Sequence, residues 1–418
     1  MEGFYIRVLI FALVLCFPVF SNLVEHAGSS ILILLAVLGL PVCLSKGRRP
    51  DLTWQEKGLI CSFAAYFVVY LISFTVNALI GDLEQLHTKH LEKEFFLLFF
   101  IPVYLLFKHI KLPLWVVWYG VLAGAAVAGI YSMVDSGWFK MGNRVRGAYN
   151  PILFGDLSLL MAFMNFQAFR FFRQKHAALV VLPLLGFILG TTASFLTGSR
   201  GAWVAIPVFL AILFFQLKRY FKPRVLGATI GVILLVSFVT YQIPGTGVAD
   251  RVKETIEDFR AYSGGNVTWG GGVGNRLESW RAAWLIYKNH TFLGIGPGGY
   301  RYAIRDMISK GTLIHDREVY FNQPHNIYLS VMVDSGWVGL VVLLSIFLLP
   351  LNIARSRIRK EEKNPEVAYS IFILVSGFMS FGLTETVFGR SVFVSFYLIM
   401  LAALLSQRNE TLNVEPVS

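Results

Sequence analysis

Long apolar runs, repeated along the whole chain, constrain this fold more than any other feature. A helix that crosses a bilayer core of about 30 Å needs about 20 mostly apolar residues, and it satisfies its own backbone polar groups on the way. About twelve such runs can be read, near 4–22, 27–45, 58–80, 94–107, 114–134, 151–169, 177–196, 202–217, 225–243, 328–352, 367–386 and 391–406. Of the 418 residues, 56% are hydrophobic and only 15% are charged, against about 25% charged in a soluble domain. That balance excludes a water-soluble globule, a disordered chain and a disulfide scaffold. Cys16, Cys43 and Cys61 sit in apolar runs without CxxC spacing, so neither a disulfide framework nor a zinc site is expected. No small-residue cleavage site follows the first run, which reads as a span rather than a leader. The sequence therefore predicts an all-α integral membrane protein with about twelve transmembrane helices.

The net charge is +12, and its distribution decides what it means. With the N-terminus on the cytoplasmic side, the inner loops hold Lys46, Arg48, Arg49, Lys108, Lys111, Arg170, Arg173, Lys218, Arg219, Arg355, Arg357 and Arg359 among others. The excess of basic residues falls on that side, as the positive-inside rule requires. The charge thus orients the chain in the membrane and gives no reason to expect nucleic acid. Residues 1–243 are read as nine spans, 244–327 as one large outer loop, 328–406 as three more spans and 407–418 as a cytoplasmic tail. The loop runs from about Pro244 to Pro324, and loops of more than about 12–15 residues are usually functional or disordered. It carries two helical patterns, VADRVKETIEDF with Val248, Val252, Ile256 and Phe259, and NRLESWRAAWLIYKN with Leu277, Trp280, Trp284 and Tyr287. Between them, GGNVTWGGGVGN reads as a glycine-dense hinge.

Ionisable residues beside a membrane interior are functional candidates. Arg200, in TASFLTGSRGAWVA, joins two spans through almost no loop, with Gly198 and Gly201 allowing the tight turn. A guanidinium held there suits bidentate binding of phosphate, although an arginine snorkelling to headgroups would sit at the same depth. Arg276 opens a helix after a glycine run, where free backbone N–H groups favour anions, and Arg281 lies about one turn further on. Taken alone, each also fits a solvated face of an amphipathic helix. His325, in FNQPHNIYLSVMVDSGW, stands where the loop returns to the membrane, level with Arg200. Histidine is the side chain best suited to take a proton near neutral pH, and Asn326 is expected to orient its ring. Arg144 and Arg146, with Asp156 one turn into the sixth run, are candidates for a second anionic contact or a plain interfacial anchor. Glu385 and Arg390 share the short turn between the last two runs and are expected to pair. The sequence contains no GxxxxGK[ST], HExxH or GxSxG, and no Asp-x-Asp, so phosphate-loop, zincin, hydrolase and metal-dependent transfer readings lack their residues. His315, Asp316 and Glu318 mimic a metal cluster but read as solvated charge.

With those motifs in hand, the chain resembles the O-antigen ligase family of bacterial polytopic membrane glycosyltransferases over nearly its whole length. TGSRGAW resembles that family's first arginine motif, with Arg200 matching, and GNRLESWRAAW resembles its loop motif, with Arg276 matching. PHNIYL is similar to the His-Asn-x-x-Leu motif, with His325 matching and Tyr328 as a departure, and RVRGAYNPILFG resembles the start of the family's sixth span. The resemblance implies an inverting, metal-independent transfer of glycan from undecaprenyl pyrophosphate to a hydroxyl of the lipid A–core acceptor. It further implies Arg200, Arg276 and His325 as catalytic residues, no cofactor, and an inner-membrane protein whose site faces the periplasm. Arg144, Arg146, Arg281 and Asn326 are the remaining candidates for binding pyrophosphate or acceptor. A polymerase or a protein glycosyltransferase using the same donor remains open, as does a membrane transporter. Ionisable residues clustered at one face, with no internal repeat, argue against the transporter.

Overall fold

The structure is a computed structural model that describes residues 2–80, 91–137, 144–218, 248–264, 272–313, 323–360 and 364–407. Every element among them is helical, as expected where each segment must satisfy its own backbone. The first runs form α1 (Glu2–Leu23), α2 (Ala27–Leu44) and α3 (Trp54–Ile80). The fourth is split into α4 (Glu92–Leu97) and α5 (Phe100–Ile110), followed by α6 (Leu114–Asp135). Then come α7 (Pro151–Gln167), the short α8 (Phe169–Lys175) bent 45° from it, and α9 (Val181–Leu196). After them, α10 (Arg200–Trp203) leads into α11 (Ile206–Leu217). The run expected near 225–243 lies outside the described residues, as do most of the glycine hinge and the segment of His315, Asp316 and Glu318.

The outer loop supplies α12 (Val248–Ser263), α13 (Gly272–Asn289) and α14 (Gly299–Ser309), of which the last was not foreseen. The chain closes with α15 (Ile327–Arg359), α16 (Pro365–Phe381) and α17 (Ser391–Leu405). Seven described helical segments are long and apolar enough to cross a membrane, or eight if α7 and α8 count as one bent span. The described residues thus bear out a polytopic helical protein, with fewer full-length spans than the twelve read from the sequence. The shortfall has a structural reason: α4 and α5 are separate pieces, and α16 and α17 have only 17 and 15 residues.

Packing joins helices both near and far in sequence: α7 lies on α9, α1 and α9 on α6, α2 on α5, and α3 and α16 on α15. The contacts bury Trp118, Tyr66, Tyr104, Phe100 and Phe154 almost completely. Outward-facing Val37, Leu44, Ile72, Leu79, Ile188 and Phe215 are exposed, an apolar surface that only a lipid solvent makes favourable. Residues read as inner pair with each other: Lys108 with Glu56 at 2.7 Å and Arg170 with Glu366 at 3.6 Å.

Two expectations are corrected in the loop. The buried face of α13 is not the Trp280–Trp284–Tyr287 stripe but the adjoining one, where Ala282, Ala283 and Ile286 meet Tyr300, Ile304 and Val333. Trp284 is exposed, as are Ile256 and Phe259 of α12. Small alanines let α13 come close to its neighbours, while Trp280 and Tyr287 are half-buried. The tenth run is also not one straight helix. Gly336 leaves helical geometry inside α15, at φ 66° and ψ −163°, a conformation open to glycine and strained for other residues. Its missing side chain gives room to the carbonyl of Phe292, which a Cβ would strike. Loop backbone then replaces the lost helical bonds: Ile295 N–H donates to Val333 O at 2.8 Å, Gly296 N–H to Asp334 O at 3.1 Å and Trp337 N–H to Thr291 O at 2.9 Å. The Ser73 hydroxyl of α3 reaches the carbonyls of both Leu293 (2.6 Å) and Asp334 (2.7 Å). This seam locks the outer loop onto the membrane helices and fixes the height of His325 above them.

Candidate active site

The TGSRG segment folds as its glycines require. Gly198 takes φ +62°, Ser199 extends, and Arg200 begins α10. The turn is packed from both sides: the Arg144 Nε donates to Thr197 O at 3.1 Å, and Gly155 of α7 allows Thr197 and Ser199 to come close. Arg200 projects toward the outer loop, where its guanidinium donates to Glu254 Oε2 at 3.2 Å and to the Thr255 hydroxyl, both on α12. Arg146 is exposed.

Asn150 caps α7 by accepting from Leu153 N–H at 2.9 Å, with Pro151 at the first helical position, a combination that defines a helix start. The cap sets Asp156 on the second turn, fully buried, with no hydrogen-bond partner for either carboxyl oxygen. What faces it is charge. Arg276, in the second turn of α13, interacts electrostatically with Glu385, Asp156 and Arg200. Burial pushes the Arg276 guanidinium below its ordinary value and Arg200 adds repulsion, while Glu385 and Asp156 oppose both. Two guanidinium groups held within each other's field are arranged as an anion site is.

His325 is reached from the other end of the loop. It has φ 50°, one of three described non-glycine residues with positive φ; such backbone costs of order 1–3 kcal/mol and clusters at functional sites. Its Nδ1 lies 3.5 Å from Glu385 Oε2. Gln323 Nε2 sits 3.5 Å from the same Nδ1 and 3.4 Å from Glu385 Oε1. Glu385 is only 1% exposed and also accepts from Thr386 N–H at 3.1 Å, with Arg390 Nε at 3.7 Å. Burial alone would raise the Glu385 carboxyl, but the His325 hydrogen bond, the Arg390 guanidinium and the Thr386 N–H together hold it below the usual carboxylate range. A carboxylate on Nδ1 leaves Nε2 free to accept a proton, the arrangement that makes an imidazole a general base.

Arg276 and His325, far apart in the chain, are therefore linked through Glu385, and Arg200 acts on Arg276. The expected Glu385–Arg390 pair forms, but the contact between Glu385 and His325 was not foreseen. Its only signal was an acidic residue in a turn between two apolar runs. Two candidates depart from expectation. Asn326 does not orient the histidine ring: its Oδ1 caps α15 by accepting from Tyr328 and Leu329 N–H, and its Nδ2 donates to Leu383 O. Asparagine just before a helix is a preferred cap, and that use takes its side chain. Arg281 turns to Glu278 of its own helix at 3.1 Å. Five residues are about 140° around a helix, so it points away from Arg276.

Residues 185–344 match the family model described as O-Antigen ligase. The matched segment contains Arg200, Arg276 and His325. The chain is also 25% identical over 321 residues to an uncharacterized protein of Haemophilus influenzae, covering 76% of this chain and 78% of that one. It is 25% identical over 276 residues to a Pseudomonas aeruginosa protein named O-antigen ligase, covering 63% of this chain and 56% of the relative. The protein is thus a polytopic helical membrane protein with an O-antigen ligase family match over residues 185–344.

Proposed function

We propose that this protein transfers a glycan from an undecaprenyl-pyrophosphate donor to a hydroxyl of the lipid A–core acceptor, at the periplasmic face of the inner membrane. The observation that supports the reading is that Glu385 contacts His325 and also interacts with Arg276, which is in turn within the field of Arg200. Cleaving a sugar–pyrophosphate bond develops negative charge on the departing diphosphate, and fixed cations already in position lower that barrier without reorganising. Arg276 would meet the phosphates from the loop and Arg200 from the membrane side, exchanging its Glu254 contact for the substrate. His325 Nε2 would take the proton of the acceptor hydroxyl as that oxygen attacks the anomeric carbon. The C–O bond to the diphosphate breaks as the new glycosidic bond forms, and attack opposite the leaving group inverts the centre. Glu385 would hold the ring and stabilise the imidazolium that results.

In the reading proposed here the arginines take the charge-neutralising part, so the reaction is metal-independent. The test is reconstitution of the full-length protein with lipid-linked glycan and lipid A–core. We expect a product of inverted anomeric configuration, formed equally with and without EDTA. Retained configuration, or EDTA inhibition reversed by Mg²⁺, would contradict the scheme. The same arginines would serve a polymerase or a protein glycosyltransferase. A polymerase would instead lengthen the lipid-linked glycan with no lipid A–core present, and a protein glycosyltransferase would modify an added polypeptide.

A further inference from the structure

A cavity of about 140 Å³ adjoins the candidate base but is not lined by Arg200 or Arg276. Its wall draws on four parts of the fold: Tyr66 and Tyr70 of α3, Lys93 and Glu94 of α4, Ser330 and Asp334 of α15, and Gln323 with Thr386 beside the base. The break at Gly336 follows two residues after Asp334 of the cavity wall. Its size is close to that of cavities of ~150 Å³ known to admit a single six-membered ring.

The lining is polar in a particular way. Tyr66 and Tyr70 stack with centroids 4.7 Å apart, and the Tyr66 hydroxyl donates to that of Tyr70 at 3.1 Å. That leaves the Tyr70 proton for another acceptor. Asp334 accepts from the Ser330 hydroxyl, which occupies part of its capacity only. Buried oxygens remain without partners: Glu94 Oε2, and the Oγ1 of Thr386, a residue 7% exposed. Buried polar groups left unpaired on a cavity wall are groups that a ligand there can pair. Buried carboxyl groups accept hydrogen bonds and, when protonated, also donate one, so the matching ligand carries several O–H groups, which do both.

We infer that this cavity is the acceptor subsite, holding one neutral pyranose ring of the acceptor saccharide against Tyr70, Glu94 and Asp334 with a hydroxyl presented to His325. Gln323 and Thr386 carry the argument for direction. Both line the cavity, and Gln323 lies within 3.5 Å of His325 and Glu385 while Thr386 follows Glu385 in the chain. A ring in the cavity is therefore beside the base, on a wall to which neither Arg200 nor Arg276 contributes. The inference rests on the glycosyl-transfer reading for its catalytic consequence, and on the cavity alone for binding.

The experiment titrates core oligosaccharide, released from lipid A so that it does not partition into lipid, onto the full-length protein in nanodiscs. Wild type and Arg276→Ala are expected to bind it equally. Asp334→Asn and Tyr70→Phe are each expected to weaken it about tenfold, the loss of one strong hydrogen bond. In transfer assays the same two variants should raise KM for the acceptor about tenfold and leave KM for the donor unchanged. Tyr70→Phe removes a single hydroxyl, so it keeps the test decisive if Asp334→Asn fails to fold. Unchanged affinity and unchanged acceptor KM in Tyr70→Phe would overturn the subsite, as would an increase in donor KM instead. Binding that depends on Tyr70 without any glycan transfer would uphold the subsite while removing the proposed function. Transfer with an unaltered acceptor KM would do the reverse.

Discussion

Arg276→Ala is expected to lower the transfer rate by about 10²–10³, the cost of removing one preorganised donor, about 2.7–4 kcal/mol. The guanidinium stands where loop and membrane helices meet, balanced between Glu385 and Asp156 on one side and Arg200 on the other. Removing it leaves two carboxyl groups facing each other and an anion site with half its charge. Part of the loss would be structural, because stripping one partner from a buried charged cluster typically costs about 3–5 kcal/mol of stability. Arg276→Lys separates the two contributions. It restores the positive charge and should restore the thermal midpoint, but a point charge cannot reproduce the bidentate fork. The expected pattern is a folded Arg276→Lys protein that still transfers at least tenfold more slowly than wild type. Full activity in that variant would assign Arg276 a structural role only.

Glu385→Gln should be at least as damaging, although by this account the residue touches neither donor nor acceptor. An amide can present either its oxygen or its NH₂ to His325 Nδ1, so it no longer fixes which ring nitrogen carries the proton. The corresponding change in a serine-protease triad costs about 10⁴ in rate, and a loss of about 10³–10⁴ is expected here. As a positioning residue it should lower kcat with little change in KM for either substrate, and Glu385→Asp should rescue partially. Stability supplies an independent readout. A carboxyl held below its usual value stabilises the folded state fully above about pH 4.3, and that contribution vanishes as pH falls through the depressed value. Glu385→Gln should therefore lower the thermal midpoint at pH 7 and flatten its dependence on acidification. A midpoint with wild-type pH dependence would show that the carboxylate is not engaged as described.

The helices were legible because apolar runs of membrane length have few other outcomes, and the Arg200 turn because Gly198 marks a left-handed residue between two such runs. Local signals of that kind place residues well along the chain. They fail where meaning depends on what comes alongside. Gly336 lies inside a mostly apolar run, and only the Phe292 carbonyl pressing against it explains the break in α15. Asn326 beside a histidine suggested a ring partner, whereas its position before a helix made it a cap. The stripe on α13 followed the larger side chains, but close approach selected the alanines. Glu385 and the cavity of Tyr70, Glu94 and Asp334 are assembled from segments hundreds of residues apart, and no spacing within the sequence encodes such a meeting.

The most direct measurement is a cryo-electron microscopy structure of the full-length protein with undecaprenyl pyrophosphate bound. The account predicts phosphate oxygens within about 2.7–3.2 Å of the guanidinium groups of both Arg200 and Arg276, with His325 Nε2 turned toward the space above the diphosphate. Density for the diphosphate at the opposite, lysine- and arginine-rich end of the bundle, or contacting neither arginine, would contradict it.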